Sequence, residues 1–126
     1  MDRTKLIYIA DDDYSIREAL KAFLDSDGYE VCDFDNGDAL LAAFNKKAAD
    51  LVILDVVMPP GSSGFVVCRE LRKISKVPVI MLTARDSELD QQTAMDLGCD
   101  YFYTKPTSPM KILERIKEIF ERVHKG

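Results

Sequence analysis

The feature that most constrains this chain is an alternation. Short runs of unbroken apolar residues take turns with segments whose apolar residues recur at helical spacing. Leu6-Ile7-Tyr8-Ile9-Ala10, Leu51-Val52-Ile53-Leu54 and Val77-Pro78-Val79-Ile80-Met81-Leu82 are apolar throughout. A run of that length without polar interruption fits a strand covered on both faces. Tyr29 to Phe34 and Tyr101-Phe102-Tyr103 add two weaker strands. Between them lie helical patterns. Ile16, Ala19, Leu20, Phe23 and Leu24 precede a stop at Gly28; Ala39, Leu40, Ala43 and Phe44 form a second set; Phe65, Cys68, Leu71 and Arg72 a third. Asp86 to Leu97 has a thinner stripe of Leu89, Ala94, Met95 and Leu97 before Gly98. The last helix is the clearest, with Ile112, Leu113, Ile116, Ile119, Phe120 and Val123 on one face. Five strands alternating with five helices specify an α/β fold whose parallel sheet is covered on both sides. Right-handed crossovers leave few topologies open. A length of 126 residues without repeats or a flexible linker reads as one domain, residues 1–126.

In open sheets of this kind the ligand site lies at the carboxyl ends of the strands. The first strand here ends at Asp11-Asp12-Asp13, the third at Asp55, the fourth at Thr83 and the fifth at Lys105-Pro106. Three residue types therefore meet on one rim. Crowded carboxylates repel one another unless a cation sits among them. Hard oxygen ligands suit Mg²⁺, which takes one or two carboxylates together with water and phosphate oxygens. A lysine can pair with a carboxylate at rest and with a phosphoryl group later, and a threonine hydroxyl can donate to the same group. An acidic nucleophile, Mg²⁺, Lys105 and Thr83 make a phosphoryl-transfer site that works by positioning and charge neutralisation. Asp13 is placed to cap the first helix instead.

Composition narrows the class further. With 17 Lys and Arg against 22 Asp and Glu, net charge −5, the chain is not built to grip nucleic-acid backbone. The acidity belongs to residues 1–63, which hold 13 acids and 6 bases. Cys32, Cys68 and Cys99 lack metal-binding spacing and read as free buried thiols. No stretch is long and apolar enough for a membrane span, and the start of the chain does not read as a signal peptide. Cytoplasmic placement is the expectation. His124, the only histidine, lies in a charged tail and reads as solvated, so this chain is not a histidine phosphodonor. Glu118/Arg122 and Glu121/Lys125 have the spacing of ion pairs on the outer face of the last helix.

Four motifs carry a family resemblance: Ile9-Ala10-Asp11-Asp12-Asp13, Ile53-Leu54-Asp55-Val56-Val57-Met58-Pro59, Pro78-Val79-Ile80-Met81-Leu82-Thr83-Ala84, and Gly98 to Pro106. In that order, each at its strand end, they resemble the receiver domain of two-component response regulators, from Lys5 to about Val123. The phrasing Thr83-Ala84-Arg85-Asp86-Ser87-Glu88 is most similar to the winged-helix transcriptional subfamily. The resemblance implies a flavodoxin-like (βα)5 three-layer sandwich with strand order 2-1-3-4-5. It implies Asp55 as phosphoacceptor, with Mg²⁺ held by Asp11, Asp12, Asp55 and the Val57 carbonyl. Asp12 would touch the ion directly and Asp11 mainly through water. Thr83 and Lys105 would bind the phosphoryl oxygens, Lys105-Pro106 would be cis, and Thr83 with Phe102 would form the switch. The phosphodonor would be a sensor histidine kinase or a phosphotransfer protein. The chain would catalyse only its own phosphorylation and dephosphorylation, and would control transcription through an output domain not present in it. Phosphorylation-dependent homodimerisation through the fourth helix, fifth strand and fifth helix is the partner state of that subfamily.

Three positions depart from the family pattern. The loop after Asp55 is one residue longer, reaching Gly64 through Pro60-Gly61-Ser62-Ser63, which bears on the dephosphorylation rate. Phe102 stands where tyrosine is common and has no hydroxyl to bond. Tyr101 replaces a frequent aspartate, and Thr107 a frequent phenylalanine, so Arg115 lacks the acidic partner used in dimers of the subfamily. Two other readings are distinct. A small phosphohydrolase of the haloacid-dehalogenase type would use Asp11 of Asp11-Asp12-Asp13 as nucleophile and leave Asp55 without a role. A receiver-like interaction module that is never phosphorylated would leave the acid, threonine and lysine set unexplained.

Overall fold

The computed structural model describes residues 3–125, with side chains as far as Arg122. The element order is β1 (Leu6–Ala10), α1 (Tyr14–Ser26), β2 (Glu30–Phe34), α2 (Gly37–Lys46), β3 (Leu51–Leu54), α3 (Gly64–Ile74), β4 (Val79–Thr83), α4 (Glu88–Asp96), β5 (Tyr101–Thr104) and α5 (Pro109–Lys125). All strand pairs are parallel, in the order β2-β1-β3-β4-β5. This is the expected flavodoxin-like sandwich.

The two-residue period of a strand divides each apolar run between two cores. Leu6, Tyr8 and Ala10 of β1 point with Val52, Leu54, Val79 and Met81 toward Leu40, Phe44, Val67 and Leu71 of α2 and α3. Ile7 and Ile9 point the other way, with Ile53, Ile80 and Leu82, toward Leu20 and Leu24 of α1 and Ile112, Ile116 and Ile119 of α5. The central strands are buried along their whole length, which is why they read as unbroken apolar runs. Asp13 caps α1, accepting from the amides of Ser15 and Ile16. Asn36, Ser63 and Ser87 cap α2, α3 and α4 in the same manner.

Side-chain bonds tie the amino-terminal edge of the sheet. Asp50 accepts from the Leu6 amide at 2.7 Å, and Asp100 accepts from the Val79 amide at 2.8 Å and from Arg72 at 3.0 Å. Both carboxylates stand in for strand partners that the sheet edge lacks. Cys68 and Cys99 are buried and Cys32 is half-buried. Burial pushes the Cys99 thiol up to about 12, which leaves it an inert core residue.

Several expectations need correction. Helix α4 begins at Glu88 and ends at Asp96, because Ser87 takes the cap. Only half of its expected stripe faces the core: Ala94 is buried and Leu97 packs against the core, but Leu89 is 75% exposed and Met95 48%, while Asp90 takes a buried position. The Glu118–Arg122 pair does not form. Arg115 reaches Glu118 at 2.8 Å, and Arg122 donates to the Tyr101 hydroxyl at 2.9 Å, because β5 lies within reach of both arginines. The side chains of Val123, His124 and Lys125 lie outside the described residues. No helix among the described residues is long and apolar enough to cross a membrane.

Ile116 is fully buried and Ile74 is 57% exposed. Ile116→Ala should cost about 2–5 kcal/mol in urea unfolding, whereas Ile74→Ala should change stability by less than about 0.5 kcal/mol. Equal effects would contradict the assignment of α5 to the core.

Candidate functional site

Strand register assembles the site. Ala10 pairs with Leu54, so the next residues, Asp11 and Asp55, emerge side by side. Thr83 pairs with Thr104, which places Thr83 and Lys105 at the same edge. The strand-to-strand bonds continue into the rim: the Asp55 amide donates to the Ala10 carbonyl at 3.0 Å and the Lys105 amide to the Thr83 carbonyl at 2.8 Å. The site is therefore an extension of the sheet and inherits its rigidity.

Lys105 Nζ lies 2.8 Å from Asp11 Oδ2 and 2.8 Å from Asp55 Oδ2. The two carboxylates are buried, and the lysine is largely so, with its side chain 17% exposed. The remaining carboxylate oxygens are also engaged. Asp11 Oδ1 accepts from the Asp13 amide at 2.9 Å and Asp55 Oδ1 from the Val57 amide at 3.2 Å. Burial pushes the Asp11 carboxyl above its ordinary pKa, and the neighbouring Asp55 charge adds to that; bonds from Lys105 and the Asp13 amide oppose it. For Lys105, burial works against the charge, but its bonds to Asp11 and Asp55 outweigh burial and hold its pKa above the usual value. One ammonium thus offsets two carboxylates.

Asp12 is exposed beside them. Carboxylate oxygens of Asp11, Asp12 and Asp55 all lie within 4.8 Å of one another, close enough to share one cation. An all-oxygen donor set of this kind fits a hard divalent ion. Val57 follows in the loop, its side chain 44% exposed. Thr83 is buried, and its Oγ1 accepts from the Arg85 amide at 3.2 Å, so the hydroxyl proton is free to be donated elsewhere. Phe102, on β5, is half-buried against the core on the α4 side. The Lys105–Pro106 bond is cis as expected, and Pro59–Pro60 is cis as well. The structure thus brings Asp11, Asp12, Asp55, Thr83 and Lys105 to one rim and sets Phe102 behind it.

Two residues of the neighbourhood were not legible in the sequence. Arg17, on α1, donates to the Asp11 carbonyl at 2.8 Å and pairs with Asp33 at 2.9 Å, bracing the acidic turn from behind. Its only sequence signal is a basic residue one turn after the helix cap. Asp90 is buried and takes bonds from Arg85 at 2.7 Å and Ser87 at 2.8 Å, closing the loop after Thr83 onto α4. Gly64, which the sequence marks as the end of the longer loop, has a steric role. A Cβ there would clash with the Asp55 carbonyl oxygen, so α3 can start against the end of β3 only with glycine. Beside Lys105, an apolar groove of about 290 Å³ runs between α1 and the β5–α5 loop, lined by Ile16, Ala19, Leu20, Leu82 and Pro106 among others.

A pH dependence follows from Asp11. A carboxyl whose folded pKa is raised contributes stability below its unfolded pKa of about 3.9, and that contribution is lost as pH rises through the folded value. As pH rises from about 4 toward neutrality, the metal-free protein should therefore lose stability relative to Asp11→Asn. Urea unfolding across that range checks it, and a difference between the two proteins that is independent of pH would contradict it.

Comparison with known proteins places this geometry. Residues 7–117 match the family model of the response regulator receiver domain. The sensory transduction protein RegX3 of Mycobacterium tuberculosis is 41% identical over 116 residues, covering 92% of this chain and 51% of that protein. A probable transcriptional regulator, ycf27 of Galdieria sulphuraria, is 43% identical over 123 residues, covering 98% of this chain and 48% of that one. The chain spans about half the length of these relatives. A CheY-like response regulator receiver domain protein from Methanospirillum hungatei superposes with a TM-score of 0.92 at 27% identity over 98% of both chains. With the matched model extending from β1 into α5, this chain belongs to the receiver domains of two-component response regulators.

Proposed function

We propose that this chain is a phosphorylation-controlled switch whose acceptor is Asp55. The observation that carries the reading is the contact of Asp55 with Lys105 at 2.8 Å, beside Asp11 and Asp12. Asp55 attacks the phosphorus of a phosphohistidine on a sensor histidine kinase or phosphotransfer protein. An Oδ–P bond forms, the P–N bond breaks, and the leaving histidine nitrogen keeps the electron pair and takes a proton. Asp11, Asp12, Asp55 and the Val57 carbonyl would hold Mg²⁺, which would neutralise charge on the acids and the transferring group. Lys105 moves its contact from the Asp55 carboxylate to a phosphoryl oxygen. Thr83 donates its free hydroxyl proton to another. The apolar groove beside Lys105 gives the phosphodonor protein a surface next to the acceptor.

The phosphoryl group adds charge and strong acceptors at the rim. Thr83 follows it, and Phe102 turns into the space behind Thr83, shifting the α4–β5–α5 face between two populations. Helix α4 suits a movable role, since it anchors itself with little more than Ala94 and the Asp90 bonds. The relatives, about twice the length of this chain and one of them a probable transcriptional regulator, support an output domain beyond this single receiver domain. Family membership favours Asp55 over Asp11 as nucleophile, against the phosphohydrolase reading.

Intact mass after incubation with Mg²⁺ and a small acyl phosphate tests the chemistry. One added phosphoryl group is expected on the wild type, none on Asp55→Asn, and none without Mg²⁺. Steady hydrolysis of the donor that depends on Asp11 and leaves no adduct would contradict the reading. The switch has its own test. Amide hydrogen exchange in α4 should change by several-fold between the resting and phosphorylated chain, and equal exchange would overturn that part.

A further inference from the structure

The lengthened loop after Asp55 is not loose. We infer that Asp38, on α2, is a positioning residue for the site: it straps the loop Pro59–Ser63 and thereby holds the Val57 carbonyl at the acceptor. The inference rests on the receiver reading above.

The strap is bidentate. Asp38 Oδ1 accepts from the Ser62 hydroxyl at 2.8 Å, and Oδ2 accepts from the Ser62 amide at 3.2 Å. These bonds hold the Asp38 carboxyl below its ordinary pKa, the hydroxyl bond foremost, so it is charged at neutral pH. Gly61 makes the approach feasible. Its φ is +107°, and a Cβ on it would lie 2.6 Å from Asp38 Oδ2. The chain therefore turns over the carboxylate with a residue that has no side chain to obstruct it.

Asp38 is itself fixed. It is the second residue of α2, whose cap Asn36 accepts from the Ala39 amide at 2.8 Å, and a negative charge in the first helical turn is favourable. The backbone of Gly37 beside it packs on Met58 and Val67, one on each side of the loop. At its far end the loop is pinned by the Gly64 amide, which donates to the Val56 carbonyl at 2.8 Å. Between these anchors lie Val57, exposed, and Met58, buried with 2% exposure. The segment from Asp55 to Gly64 is thus held at the acceptor, at Met58, at Ser62 and at Gly64. Apart from the Asp55–Lys105 pair at its start, the Ser62 anchor is the side-chain bond that ties this segment to another element among the described residues. Removing it frees the inserted residue to swing, and the Val57 carbonyl moves with it. Residues that orient a ligand without touching the metal are worth about 10–100-fold in affinity at buried sites.

The experiment compares Asp38→Ala, Asp38→Asn and Asp25→Ala with the wild type. Asp25 lies exposed on α1 and serves as a control for the lost charge. Mg²⁺ affinity is read from the Val57 and Gly64 amide shifts, phosphoryl lifetime from intact mass, and folding from Tm. Asp38→Ala should weaken Mg²⁺ binding by about 3- to 10-fold, at the low end because the strap is exposed. It should change the phosphoryl lifetime by a similar factor. Asp38→Asn keeps one acceptor oxygen and should fall between Ala and wild type, while Asp25→Ala should match the wild type. A change in Tm with wild-type Mg²⁺ affinity and lifetime would make Asp38 merely structural and overturn the inference. So would an equal loss of affinity in Asp25→Ala, which would mean net charge alone is at work. If the wild type takes no phosphoryl group, the receiver reading fails, and that result is distinct from either of these.

Discussion

Everything at the rim depends on one half-buried ammonium. Lys105 stands 2.8 Å from each of two carboxylates that the sheet forces together. Without it, Asp11 and Asp55 would face each other in a poorly solvated pocket, and burial already pushes the Asp11 carboxyl up. Breaking a buried charge set by removing one partner costs about 3–5 kcal/mol in comparable cases. The arrangement is a store of unfavourable charge held in check by a single side chain. Such a store responds strongly to an added cation or an added phosphoryl group, because either one re-partitions the same ammonium and the same acids. The site is sensitive because it is balanced.

The sheet supplies the rigidity that this balance needs. Parallel register carries Asp11 and Asp55 out on adjacent strands, and strand bonds extend past them to the Lys105 amide. Around that fixed rim the restraints differ. Arg17 braces the Asp11 turn from α1, and Gly64 lets α3 begin directly against Asp55. The α4 side is different in kind. Its packing is thin, and the loop leading to it closes through Arg85, Ser87 and Asp90 rather than through apolar area. On the outer face, Arg115 stacks over Tyr101 at 4.2 Å and donates to the Tyr103 hydroxyl. The arginine that lacks an acidic partner at position 101 is thus already occupied within its own chain. The molecule pairs a stiff site with a pliable neighbouring face, which is the mechanical requirement for a switch.

The fold was legible because buried parallel strands need unbroken apolar runs and covering helices need one apolar face. Leu51 to Leu54 and the α5 stripe leave no other reading. The rim was legible for a related reason, since each strand end is marked by the residue that follows an apolar run. What stayed hidden involves residues that act across elements. Arg17, Asp50, Asp90 and Asp100 are ordinary surface types in sequence, and their roles arise only from partners 3 to 47 positions away. Helix α4 misled for the opposite reason. Leu89 and Met95 have the right composition for a core stripe but point to solvent, and a charged residue, Asp90, takes the inward position because Arg85 and Ser87 satisfy it. The longer loop was visible as an insertion, but its anchoring by Asp38 was not, because nothing in the spacing of residues 38 and 62 indicates contact.

The most direct measurement locates the phosphoryl group. Borohydride reduces an aspartyl phosphate to homoserine at the residue that carried it, and peptide mass mapping then identifies that residue. The account predicts a single homoserine at Asp55 and unmodified aspartate at positions 11 and 12. Homoserine at Asp11 would contradict it, and would mean that the half-buried lysine serves a different nucleophile.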